Sequence, residues 1–394
     1  MRRHRIGCLL FVSILAACRD SSGDAGASLT VVPNASGANG CSGPDQVFAP
    51  PQTPTVIPLA SLVIGPASQI TADGADEVLY ATGDGASVVM LDVSVDPPAE
   101  AVIVAPGAIA ALLAPVGIAT APVLSGIAVL DADRLVVVEQ TSNTLIAVDR
   151  LPPNAVSFYA GQPNETPGFA DGFAQGATFL ARFSFGFPTQ ICPTGNVPPK
   201  VFVADAGNHA IRLVQSEVNA PLQVITIAGN GTPLSTQDGE LSETLFDTPT
   251  GLSATCDGDL LVTERGGNGF GQLVRQLEIG RPDVFGGFLG TVTTLAGDGT
   301  DATTQGVDEL AQVAGPVSPL ATGAGEIYWI DSNEGVLRRR KLDGEVDCPL
   351  AADCAAAVLA PTFPPGHDFC LTQTAAGSLF VMDATDGVLY RVSP

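Results

Sequence analysis

Short apolar runs alternate with clusters of turn residues along nearly the whole chain. The pattern is clearest in Val201-Phe-Val-Ala-Asp-Ala-Gly-Asn-His-Ala-Ile-Arg-Leu-Val214: residues 201–204 are apolar, 205–209 carry turn chemistry, and 210–214 are β-forming again. It predicts a strand, a tight turn and a second strand. Aligned on the first apolar residue, five more copies begin at Val78, Leu135, Leu260, Ile327 and Leu379, with successive starts 57, 66, 59, 67 and 52 residues apart. A constant unit at unequal spacing puts the variation in length into connectors. Four residues after each start stand Thr82, Glu139, Asp205, Glu264, Asp331 and Asp383, so five of the six strands end on a carboxylate.

A further strand precedes each copy, as in Ser125-Gly-Ile-Ala-Val-Leu130 and Thr250-Gly-Leu-Ser-Ala-Thr255, and a fourth follows, as in Val224-Ile-Thr-Ile-Ala228 and Val292-Thr-Thr-Leu-Ala296. Four antiparallel strands repeated six times predict an all-β, six-bladed β-propeller over residues 55–394. Runs such as Leu135-Val-Val-Val138 and Ile327-Tyr-Trp-Ile330 fit this reading, because a strand with a blade on each face is apolar on both sides. The sixth copy ends at Tyr390-Arg-Val-Ser-Pro394 without a fourth strand of its own. Thr55-Val-Ile-Pro-Leu59 is therefore predicted to complete blade six and close the ring, covering strand edges that would otherwise invite association.

Two segments resemble an NHL-repeat propeller. One runs from Tyr159-Ala-Gly through Gly168-Phe-Ala-Asp-Gly172, Ala181-Arg-Phe183 and Val203-Ala-Asp-Ala-Gly-Asn-His209 to Ile211-Arg212. The other runs from Thr226-Ile-Ala-Gly229 through Asp238-Gly239 and Thr248-Pro-Thr-Gly-Leu252 to Val274-Arg275. The resemblance implies the same ring and makes His209 the counterpart of the family's structural turn histidine. This chain departs from the pattern at Ala210, where the family has arginine, and by inserting Gly269 and Phe270.

The amino terminus reads differently. Met1-Arg-Arg-His-Arg5 is basic, residues 6–17 form an apolar run too short to span a bilayer, and Leu15-Ala-Ala-Cys18 is similar to a bacterial lipoprotein box. Residues 1–17 are expected to be a signal peptide, with cleavage before Cys18 and its lipidation, and anchorage by lipid alone. Arg19 in place of Asp points, by family analogy, to the outer membrane. Residues 18–54, rich in Ser, Gly, Ala, Asn and Pro, read as a flexible tether.

Lys and Arg total 17 against 41 Asp and Glu, a net charge of −24, and three of the arginines lie in the leader. So acidic a surface does not suit nucleic acid, although RNA binding is known in the resembling family. Six of the eight cysteines, Cys41, Cys192, Cys256, Cys348, Cys354 and Cys370, fall in the exported body, where disulfides are expected. Cys348 with Cys354 closes a short loop. Cys192 with Cys256, at matching ends of inner strands, and Cys41 with Cys370, by elimination, complete one set; some remaining free buried thiols is the alternative.

Antiparallel connectivity puts the turn between second and third strands on the same face as the connectors 161–186, 229–248 and 297–315. This loop face is the expected ligand surface, over the central channel, with the cysteines stapling the opposite face. The candidate ligand residues are Glu139, Asp205, Asn208, His209, Glu264, Arg265, Asp331 and Asp383. Carboxylates ringed about a channel could hold Ca²⁺, yet Asp at a strand end also accepts turn amides, the commoner role for Asp205, Asp331 and Asp383. Glu139 and Glu264 cap turns less well, and Arg265 offers either an anion site or a solvated ion pair. Asp171 and Asp238, between glycines in connectors, read as turn residues. His209 and His367, the only histidines outside the leader, are too few for a three-histidine zinc site, which counts against the zinc-dependent lyase chemistry the resemblance would otherwise bring, unless carboxylates substitute. Ser235 and Ser242 lack a nucleophile elbow, and no Walker loop, dinucleotide fingerprint or His-Glu-x-x-His occurs. The expected function is that of an envelope-anchored, monomeric recognition or scaffold propeller for a protein, peptide or glycan, with no catalytic residues and no obligatory cofactor. A metal-assisted hydrolase, lactonase or lyase is the alternative.

Overall fold

The computed structural model describes residues 54–57, 70–73, 77–163, 168–173, 176–179, 201–215, 221–234, 238–255, 259–266, 271–282, 287–322, 325–359, 361–374 and 376–392. Six antiparallel sheets of four or five strands form the predicted six-bladed β-propeller. The second strands are Val78–Gly83, Arg134–Glu139, Val201–Asp205, Leu260–Glu264, Ile327–Asp331 and Leu379–Asp383, and each pairs with the third strand of its own blade. Blade six runs Thr55–Ile57, Val388–Val392, Leu379–Asp383, Phe369–Gln373 from outside to inside. Its outer strand comes from the amino-terminal side, with Thr55 opposite Arg391 and Ile57 opposite Leu389, as the missing fourth strand required.

The apolar runs pack blade against blade. Phe202, Leu213, Leu252, Leu260 and Val262 share one core between blades three and four, while Ile70, Leu79, Phe380 and Met382 join blade one to blade six. Each such side chain contributes about 1.5–3 kcal/mol by leaving water. Two features were not foreseen. The connectors entering blades three, four and five first run along the outer edge of the blade they are about to enter, adding Gly172–Phe173, Gly239–Glu240 and Gly306–Val307 as short additional strands. Between blades one and two, the segment Ala108–Leu113 forms a helix, because Ile109 and Leu113, one turn apart, both reach the core.

The Cys348–Cys354 disulfide is present. It lies on the loop face, which corrects the expectation that the opposite face carries the staple. The outer strand of blade five is only Glu345–Asp347, so Cys348 already belongs to the connector entering blade six, where Cys354 starts the helix Cys354–Leu359. Cys370 was expected to pair with Cys41, but here it is a free thiol. It is packed between blades six and one, donates to the Ile70 carbonyl at 3.1 Å, and is pushed by burial up to about 12. Cys41, Cys192, Cys256, the leader with Cys18, and the tether up to residue 53 lie outside the described residues.

Candidate functional site

The carboxylates that close the second strands are each buried and engaged by neighbouring groups. In three blades the partner is a wholly buried arginine on the third strand, two residues beyond the position paired with the carboxylate. Arg212 donates to Asp205 at 2.8 Å, Arg275 to Glu264 at 3.0 Å and Arg338 to Asp331 at 2.5 Å. The arginines also reach outward. Arg212 bonds Asp171 at 2.9 Å and Arg275 bonds Asp238 at 3.3 Å, and these two aspartates accept the amide and hydroxyl of Thr226 and Thr294 on the outer strands. Asp171 and Asp238 thus fasten each connector to the edge of its blade. Aromatic rings cover the guanidinium groups: Phe169 and Phe179 for Arg212, Phe246 for Arg275 and Trp329 for Arg338.

The turn residues among the remaining candidates are also engaged by their neighbours. Glu139 accepts from the amides of Val123, Thr141 and Ser142 and from the Ser142 hydroxyl at 2.5–2.9 Å, so a glutamate caps this turn fully despite its length. Glu264 adds the Asp247 amide, Asp331 adds Thr303 and Trp329, and Asn208 links Asp205 to the Gly168 carbonyl. His209 stands in the left-handed region at φ 51° and its Nδ1 accepts the Thr248 amide at 3.1 Å, tying the turn of blade three to the entry of blade four. Burial lowers its pKa from the usual histidine value, against the opposing charge of Asp247. An Nδ1 that accepts must be unprotonated, so geometry and pKa agree.

The loop face of blades four to six does gather polar groups. Arg265 reaches past blade five to Asp368, at the entry to the inner strand of blade six, at 2.7 Å, and touches Asn333 at 3.3 Å. Asn333 in turn donates to both oxygens of Asp301 at 2.9 and 3.0 Å. Beside this chain, His367 Nδ1 lies 2.8 Å from Asp383 Oδ2 and 3.8 Å from Asp386 Oδ2. Asp383 is held by the amides of Thr385 and Asp386, and His367 stacks on Phe369. The hydrogen bond to Asp383 raises the His367 pKa, and the charges of Asp383, Asp386 and Asp368 add to it against desolvation.

Reading the sequence missed Arg338, although it follows Asp331 by seven residues as Arg212 follows Asp205. It also passed over Asp368 and Asp386: Asp386 comes beside His367 within blade six, and Asp368 meets Arg265 of blade four across the loop face.

A concave surface lies elsewhere than expected. A groove of about 510 Å³ opens on the outer wall, between the outer strand of blade three at residues 226–229 and that of blade four at residues 287–291. Glu240 and Leu241 of the connector line it with Phe288 and Leu289, the last 58% exposed.

No family model and no curated protein matches the chain. Among solved structures it is similar to an auxiliary nutrient binding protein from Bacteroides thetaiotaomicron, at 10% identity over 90% of this chain and 75% of that one, with a TM-score of 0.51. Others are a gluconolactonase from Xanthomonas campestris, at 14% identity over 89% and 97% with a TM-score of 0.47, and virginiamycin B lyase from Staphylococcus aureus, at 10% over 86% and 99% with a TM-score of 0.47. The first of these likenesses supports the six-bladed β-propeller fold, and the fold alone.

Proposed function

We propose that the chain is an exported, lipid-anchored propeller of NHL type that recognises a protein, peptide or glycan without transforming it. The observation that carries this reading is where the second-strand carboxylates spend their oxygens. Asp205, Glu264 and Asp331 face buried arginines and Glu139 faces turn amides, so they do not form the ring of oxygen ligands that the metal-assisted alternative, or a channel Ca²⁺, calls for. The outer groove, apolar at Phe288 and Leu289 and acidic at Glu240, offers instead the mixed lining of a binding surface. The leader, Cys18 and the tether would display that surface at the envelope, and a ring that closes on its own strand is compatible with a monomer.

Arrays of peptides and glycans probed with the full-length chain test the reading. Binding that falls at least tenfold in Leu289→Arg or Glu240→Lys, with melting unchanged, supports it. Failure to bind either array, or turnover of ester or lactone substrates, sinks it. For the anchor, Cys18→Ser should move the protein from the detergent to the aqueous phase in a phase-partition assay, and an unchanged distribution counts against lipidation.

A further inference from the structure

Blades three, four and five each set a fixed positive charge against the buried carboxylate of the second strand: Arg212 against Asp205, Arg275 against Glu264, Arg338 against Asp331. Blade six keeps a wholly buried carboxylate, Asp383, but has Tyr390 at the register of the arginine. The charge slot is taken by an imidazole arriving from the connector, beside a second carboxylate, Asp386, that is 59% exposed. We propose that this rim of blade six binds a first-row divalent cation through His367 Nδ1, Asp383 Oδ2 and Asp386 Oδ2.

The three ligand atoms lie within 4.8 Å of one another, with the imidazole at 2.8 and 3.8 Å from the two oxygens. A cation bonded at about 2.0–2.2 Å to nitrogen and oxygen in a tetrahedral site separates its ligand atoms by roughly 3.3 Å. The observed distances bracket that value, and the exposed Asp386 is the ligand free to adjust. The other two are fixed in advance. Amides of Thr385 and Asp386 hold Oδ1 of Asp383 and leave Oδ2 to the site. The loop bearing His367 is pinned to the turn of blade five by Phe363 N–H to the Gly335 carbonyl at 3.0 Å and Gly366 N–H to the Ser332 carbonyl at 2.8 Å. Arg265 neutralises the neighbouring Asp368, whereas among the described residues Asp386 has no lysine or arginine partner. The imidazole favours zinc-like ions over Ca²⁺, which takes oxygen ligands. Ligation at Nδ1 sends the proton it shares with Asp383 to solvent. His367 is 23% exposed, so solvent or a ligand atom completes the coordination. The site does not depend on the recognition reading, because the groove lies on other blades.

The full-length chain, stripped with EDTA, is titrated with Zn²⁺ by calorimetry and with Co²⁺ by visible absorption. One ion per chain and a higher melting temperature with metal are expected. Asp386→Asn should weaken binding at least tenfold while leaving melting of the metal-free protein unchanged. His367→Arg sets a fixed positive charge beside Asp383 from the connector, so it should keep the fold and abolish binding. Absence of stoichiometric binding, binding unaltered in both variants, or Ca²⁺ held as tightly as Zn²⁺ would overturn the proposal.

Discussion

A guanidinium with no exposed surface is tolerated in this fold because a carboxylate, backbone carbonyls and an aromatic face surround it, as Asp205, Ala170, Phe169 and Phe179 surround Arg212. Removing one partner alone should therefore be costly. Arg212→Met strands Asp205 in the interior, and a loss of about 3–5 kcal/mol is expected from urea denaturation. The double variant Arg212→Met with Asp205→Asn should recover much of it; a double variant no more stable than the single would mean that packing, and not charge, sets the cost. His209 and His367 make a second contrast. His209 is lowered by burial, so its contribution to stability is present above the unfolded value near ~6.5 and is lost as pH falls through the folded value. His367 is raised by Asp383, so its contribution is present below ~6.5 and is lost as pH rises through the folded value. Imidazole NMR titration of the metal-free chain, assigned with His209→Gln, should find the two on opposite sides of that value. Two ordinary titrations would contradict the hydrogen bonds described for both rings.

At the level of the blade, much depends on how the outer strand ends. Ala228 is followed by Gly229 at φ +87°, where a Cβ would overlap the His209 carbonyl, and Gly161 and Gly297 stand likewise against the carbonyls of Asn143 and Gln272. These close approaches give the Ala-Gly of the repeat a physical meaning: the end of the outer strand closes over the turn between second and third strands. Gly229→Ala should cost about 1–3 kcal/mol in chemical denaturation, whereas Gly239→Ala, which meets open space, should cost little. Equal effects at the two positions would dismiss the close approach as the cause. Strand, turn and carboxylate were legible in the sequence because period and turn chemistry recur from copy to copy and five of the six second strands end on a carboxylate. The partners of those carboxylates were not, because an arginine on an apolar strand looks like a solvated residue until its register is known. The wrapping of connectors along the outer edges was hidden for a related reason: two-residue strands such as Gly172–Phe173 carry no periodicity to read.

For the whole molecule, closure of the ring was legible from a simple shortage, five complete sets of strands and one lacking its last. The loop-face cluster was not, because Arg265 and Asp368 meet only once blades four to six are in place, and His367 reaches Asp383 from a connector and not from the repeated third-strand position. Closure also makes a sharp prediction. A chain beginning at Pro54 keeps the strand Thr55–Ile57, and one beginning at Leu59 leaves Val388–Val392 as an open edge. Ile57, packed against the core shared by blades six and one, is lost with the strand. The shorter chain should be less stable by about 2–3 kcal/mol, the scale of one apolar side chain returned to water, and should associate as concentration rises. Because the missing piece is an edge strand, a synthetic peptide of residues 54–59 added in excess should restore melting and suppress association, as strand addition does at other exposed edges. Equal melting of the two chains, with both monomeric by light scattering, would show that the amino-terminal strand is an ornament of blade six and that three strands suffice to hold the ring.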